Sequence, residues 1–164
     1  MKVTFVKTGE RRYGVHVERD TAPALAIDGP GYDDDLPHDL LHFVAEAKFG
    51  LDGGVFGDLA SGGNARIFVP VDQRLVAKMW RKQRIKKQRL PDGHRSEELV
   101  AMLERAWATG VYEAELEPIV HELEGLAEQW RALPPGGKLT LEWPRPEGRK
   151  RHPPRNRRRR TARG

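Results

Sequence analysis

The chain reads as an α+β protein. An N-terminal β-hairpin or small antiparallel sheet, with a C-terminal strand able to join it, packs against about four or five helices. Three observations predict this class. Period-two alternation is confined to the two ends, in Val3 to Phe5, Val15 to Val17 and Lys138 to Trp143. The segments between them carry apolar residues at the 3–4 spacing of helices. Strands and helices are also grouped rather than alternating, which argues against a repeating parallel-sheet fold. A length of 164 residues suits one domain, placed at 1–143, followed by a tail at 144–164.

Taken in order, Thr8-Gly9-Glu10 supplies turn chemistry between the first two alternating runs, so a hairpin is expected there. Ala24 to Ile27 can add a third strand before Asp28-Gly29-Pro30-Gly31 forces a loop. Pro37 suits the first turn of a helix running from His38 to about Phe49, which Gly50 can end. The run Asp33-Asp34-Asp35 ahead of it favours the helix dipole, an ordinary structural role. Val55 to Ser61, bracketed by Gly53-Gly54 and Gly62-Gly63, is long enough for a short helix or a packed loop. After a brief extended piece at Ile67 to Val69, Asp72 can cap a helix with Leu75, Val76, Met79 and Trp80 on one stripe. Ser96 is expected to cap the next helix, with Leu99, Leu103, Ala106 and Trp107 inward and Gly110 as its stop. Leu116 to Leu133 carries the clearest amphipathic spacing, with Pro118 tolerable only in the first turn. Pro134-Pro135-Gly136-Gly137 then separates that helix from the last strand.

Composition removes whole classes of chemistry. The chain has no cysteine, which excludes disulfide scaffolds, thiolate zinc sites, iron–sulfur clusters and cysteine nucleophiles. A reducing, cytoplasmic location is compatible with that. No apolar run approaches the roughly 18 residues of a membrane span. Met1 to Lys7 lacks the apolar core of a secretory signal, so neither insertion nor export is expected. The net charge of +5 hides an asymmetry: residues 144–164 hold ten Lys and Arg against Glu147 alone, whereas residues 1–143 hold nineteen against twenty-three acids. The tail, with Arg157, Arg158, Arg159 and Arg160, has almost nothing to bury, and disorder is expected. Such a segment binds nucleic-acid phosphates or an acidic protein surface through charge.

The most specific constellation is His38-Asp39-Leu40-Leu41-His42, with Glu46 one turn further on. An i, i+4 pair lies about 40° apart on one helix face, so both imidazoles can reach a single divalent transition metal such as zinc. Glu46 lies about 12 Å from His38 along a straight axis and cannot share that ion. Its expected role is to hydrogen-bond the free ring nitrogen of His42 and orient it. A third ligand must come from elsewhere, with Asp58 or one of Asp33, Asp34 and Asp35 as the nearest options. If the site is catalytic, metal-assisted hydrolysis is the economical chemistry. The competing reading makes both rings structural, each donating to a backbone carbonyl and packing on Phe43 or Phe49.

The stretch Leu36 to Glu46, followed by Gly50-Leu51 and Gly53-Gly54-Val55-Phe56-Gly57, resembles a group of small actinobacterial proteins that open on the same kind of hairpin. The resemblance covers roughly residues 1–65. It implies that hairpin and helix form a unit, and it implies no activity. A narrower likeness links His-Asp-x-x-His to the zinc motif of a ubiquinone-biosynthesis family. There the acidic residue follows at a longer spacing in a largely helical context, so that function is not carried over.

Residues 74 to 89 place Arg74, Lys78, Arg81, Lys82, Arg84, Lys86, Lys87 and Arg89 together without an acid. Such an arm can follow a phosphate backbone, with Trp80 available for stacking, in a non-enzymatic nucleic-acid-binding or regulatory module. The bland alternative pairs it with the glutamates between Glu113 and Glu128 and tucks Trp80 into the core. The glycine pairs lack the Lys and Ser/Thr of a phosphate loop, and Ser61 has no nucleophile elbow around it. Nucleotide hydrolysis and serine-triad chemistry are not expected.

Overall fold

The computed structural model describes residues 1–29, 31, 36–85 and 90–144. Asp33, Asp34, Asp35, Lys86, Lys87 and the arginines 157–160 lie outside the described residues, as do the side chains of Lys82 and Arg84. Strands β1 (Lys2–Gly9), β2 (Arg12–Glu18), β3 (Leu25–Asp28), β4 (Val69–Pro70) and β5 (Lys138–Glu142) form one antiparallel sheet in the order β4-β3-β2-β1-β5. Helices α1 (His38–Phe49), α2 (Val55–Ala60), α3 (Gln73–Ile85), α4 (Gly93–Thr109) and α5 (Glu117–Ala132) complete an α+β fold. No helix among the described residues is long and apolar enough to cross a membrane.

Alternation decides which side of the sheet is dry. Val3 and Phe5 of β1 stand opposite Val17 and Val15 of β2 and Leu141 and Leu139 of β5, and Val17 stands opposite Leu25 of β3. Most of these are buried against the helices, while Lys2, His16, Glu18, Lys138, Thr140 and Glu142 are exposed on the other face. The hairpin is as expected except at its tip. The strands run on to Gly9 and Arg12, and the turn falls on Glu10-Arg11, with Arg11 at φ 53.

Helix α1 lies at the centre. Leu40 through Glu46 are all buried, so it is enclosed on every side rather than amphipathic. Phe43 meets Phe5, Phe56 and Trp143 edge to face at 6.3, 5.2 and 5.4 Å, binding sheet, helix and C-terminal strand into one aromatic cluster. Gly50 ends α1 in the left-handed conformation at φ 64, with its N–H on the Glu46 carbonyl. Lys7 does a capping job that sequence patterns do not announce. Its ammonium donates to the carbonyls of Trp130 at 3.0 Å and Leu133 at 2.8 Å, satisfying the C-terminus of α5 from within the sheet.

Of the remaining helices, α3 begins as expected and α4 does not. Asp72 caps α3 as expected, its carboxylate accepting the Arg74 N–H at 3.0 Å. Helix α4 starts three residues before Ser96, with Asp92 at its cap position. The Asp92 carboxylate is turned to the Gly53 N–H at 2.8 Å, which ties α4 to the loop after α1. Ser96 is thereby released from capping and buried inside the first turn.

Candidate metal centre

Helices α1 and α4 pack antiparallel. His38 at the start of α1 meets Glu104 far along α4, and Glu46 near the end of α1 meets Ser96 near the start of α4. The i, i+4 spacing puts His38 and His42 on one stripe, with ring centroids 4.8 Å apart. Their Nε2 atoms face one another at 3.1 Å. The two rings differ sharply in setting: His42 is 3% exposed, while the His38 side chain is 49% exposed.

Each ring is held from behind at Nδ1. Ser96 Oγ lies 2.8 Å from His42 Nδ1 and donates its own proton to Glu46 Oε1 at 2.7 Å, so it accepts from the imidazole N–H. His38 Nδ1 lies 3.1 Å from Glu104 Oε1, a group that only accepts, so that nitrogen also carries its hydrogen. With Nδ1 engaged in this way, each ring in its neutral form presents a lone pair at Nε2. Two lone pairs then oppose each other across 3.1 Å. A cation between them, a proton or a metal ion, converts that repulsion into binding.

Glu97 supplies the third donor. Its Oε2 lies 3.6 Å from His42 Nε2, and ligand atoms of His38, His42 and Glu97 all fall within 4.8 Å of one another. These three could hold a metal ion. Zn–N bonds of about 2.0–2.1 Å at a tetrahedral angle separate two nitrogens by roughly 3.3 Å, close to the spacing found. Glu97, 65% exposed, and His38 leave the outer side of the group facing solvent.

Glu46 is fully buried and does not reach His42 directly, its Oε1 standing 3.9 Å from Nδ1. The expected orienting contact is replaced by one through Ser96. The carboxylate also accepts the N–H groups of Val55 and Phe56, each at 2.7 Å, and of Gly57 at 3.4 Å, where α2 begins. Gly54 makes this possible, because a Cβ there would run into the Glu46 carboxylate. Burial pushes the Glu46 carboxyl above its ordinary range, opposed by these hydrogen bonds. Burial likewise holds the His42 imidazole below its usual value, with Glu97 pulling the other way. A neutral ring is the form that ligates.

Asp58 is placed elsewhere. Its carboxylate accepts the Ala65 N–H at 2.8 Å and sits beside the Arg19 guanidinium, closing the turn after α2. The third donor among the described residues is therefore Glu97, and neither Asp58 nor Glu46 belongs to the group. Glu97 carries no signal in the sequence beyond that of an acid in the first turn of a helix. Ser96 had a usable signal: it occupies the same buried stripe as Leu99, Val100, Leu103 and Ala106, a polar residue in an apolar register. Neither imidazole takes the backbone carbonyl partner expected of structural histidines; each is bonded to side chains instead.

The basic helix α3 packs chiefly on β4 and lies apart from this group. Leu75, Val76 and Met79 are half-buried, and Trp80 is 46% exposed rather than tucked into the core. Arg74, Lys78 and Arg81 are exposed; Arg74 pairs with its own cap Asp72, and no ion pair joins α3 to the glutamates of α5 among the described residues. Comparison with family models, curated proteins and solved structures finds no match to this chain.

Proposed function

We propose that the α1–α4 junction is a divalent transition-metal site, with His38, His42 and Glu97 as ligands and zinc as the ion that best suits two imidazoles and a carboxylate. The observation that carries this is the opposition of the two Nε2 atoms at 3.1 Å, with both Nδ1 positions already engaged. Glu46 and Ser96 fix the tautomer and orientation of His42, and Glu104 does the same for His38. A divalent ion supplies a Lewis acid and acidifies water at neutral pH, which makes hydrolysis the reaction class to test first. The solvent-facing side defined by His38 and Glu97 is where a substrate would approach. Protein purified without a metal-affinity tag is expected to carry about one equivalent of metal in elemental analysis. His42→Ala is expected to abolish binding, and Glu97→Ala to weaken it. Failure to take up zinc in calorimetry, or equal uptake by His42→Ala, refutes the site.

A second reading rests on a different observation, the exposure of Trp80 on the same helix as the exposed Arg74, Lys78 and Arg81. It makes α3, which includes Lys82 and Arg84, a surface for single-stranded nucleic acid, with Lys86, Lys87 and the arginines 157–160, outside the described residues, as further cations of the sequence. Cations track the phosphates, and the indole stacks on a base. Oligonucleotide affinity should fall steeply with salt, and neutralising the three described cations should flatten that dependence. Affinity unchanged by Trp80→Ala and by loss of those cations discards this reading.

A further inference from the structure

β5 is one rim of the sheet and pairs with β1 alone among the described strands. The ladder shows which of its backbone groups are used. The Trp143 N–H donates to the Met1 carbonyl and the Lys7 N–H to the Gly137 carbonyl. Antiparallel bonding alternates every second residue, so Gly137, Leu139, Leu141 and Trp143 turn their amides towards β1. Lys138, Thr140 and Glu142 turn theirs to the open rim. An unpaired rim of this kind is a template for another strand.

This strand is complementary to itself. In an antiparallel register centred on Thr140, Thr140 meets Thr140 of a second copy, Leu139 meets Leu141, and Lys138 meets Glu142. That register pairs all three rim-facing residues of each copy, and a shift of two residues in either direction loses one of them. It also sets opposite charges together at both ends, whereas a rim guarded against association repels its own copy. The rows already present across β1 and β5 continue through it. Thr4 and Thr140 hydroxyls, 3.0 Å apart, extend into a four-threonine row, and Glu142 comes to lie between Lys2 of its own chain and Lys138 of the second copy. On the inner face, Leu141, left partly exposed at the rim, gains Leu139 of the second copy as a neighbour.

We infer that β5 is the surface through which two copies of this chain associate, joining their sheets into one across a twofold axis at Thr140. No residue of the α1–α4 group takes part, so this interface and the metal reading fail or stand separately. Sedimentation velocity of the full, nuclease-treated chain, taken from micromolar to millimolar concentration, is expected to show a monomer–dimer equilibrium. Lys138→Glu alone and Glu142→Lys alone each set like charges together twice, and each should weaken the dimer about tenfold or more. The double variant Lys138→Glu/Glu142→Lys exchanges the partners and should restore it. Because the chain has no cysteine, Thr140→Cys places one thiol at the axis. Opposed hydrogen-bonded residues there have Cα atoms about 5.5 Å apart, within disulfide reach, so mild oxidation should give a covalent dimer where His16→Cys on β2 does not. A wild-type chain monomeric throughout, single reversals without effect, a double exchange that fails to restore the dimer, or equal cross-linking at His16 overturns the inference.

Discussion

Two charged regions of this molecule are built on opposite plans. Between α1 and α4, Glu46, Ser96 and His42 are taken out of water and, His42 Nε2 apart, their side-chain polar atoms are matched to partners, so position is fixed by the surrounding packing. Along α3, Arg74, Lys78 and Arg81 stand in solvent on a helix anchored mainly by one short edge strand. Buried charge is expensive unless fully satisfied, and such a group persists because the fold around it is organised to receive it. Exposed charge costs little and contributes little to stability. The first region therefore bears on folding as well as on the chemistry proposed for it, whereas the second contributes little to the fold.

The largest effect that separates them is expected at Glu46. Glu46→Ala removes the acceptor for three backbone N–H groups at the start of α2 and for the Ser96 hydroxyl, leaving buried donors unpaired. A loss of about 3–5 kcal/mol in denaturant unfolding is expected. A loss under 1 kcal/mol (about a single ordinary hydrogen bond) would mean that the carboxylate is not the anchor described.

Ser96→Ala sharpens the contrast at intermediate size. It breaks the link between Glu46 and His42 while keeping both, and should cost about 1–3 kcal/mol of stability together with roughly 10–100-fold in zinc affinity. His38→Ala, at the exposed end of the same pair, should lower zinc affinity with little change in stability. Protons give a further test in chelator-treated protein. The folded His42 pKa lies below 6.5, so the folded state resists the proton that the unfolded chain accepts. That contribution to stability is present above 6.5 and lost as pH falls through the folded value. Glu46, with a raised pKa, acts in the opposite sense, favouring the fold below 4.5 and losing that contribution as pH rises through its folded value. Subtracting the pH profile of His42→Gln from that of the wild type should isolate the histidine slope, and an imidazole titrating at or above 6.5 by NMR contradicts it.

How much of this was legible in the residues follows from which forces are local. Period-two runs, the Gly50 and Gly110 stops and the Asp72 cap are written in nearest-neighbour patterns, the alternation of the last strand marks it as able to join the hairpin, and all of these are what the structure contains. The pairing of His38 with His42 was legible for the same reason, since a helix sets it. Glu97, Ser96 and Glu104 come from a helix more than fifty positions away in the chain, and only packing decides which face of α4 meets α1. Asp58 misled because closeness in sequence stood in for closeness in space. The Lys7 cap on α5 was invisible for a like reason: it joins residues more than a hundred apart.

The smallest expected effect lies on α3. Replacing Arg74, Lys78 and Arg81 together by alanine removes three exposed cations, of which only Arg74 pairs, and that with its neighbour Asp72. Alanine also has higher helix propensity than any residue it replaces, which offsets the lost Asp72 contact. Unfolding free energy should change by no more than about 0.5 kcal/mol. If the triple variant instead unfolds as readily as Ser96→Ala, α3 is held by its charges, and the contrast between a buried cluster that stabilises the fold and an exposed helix that contributes little to it no longer holds.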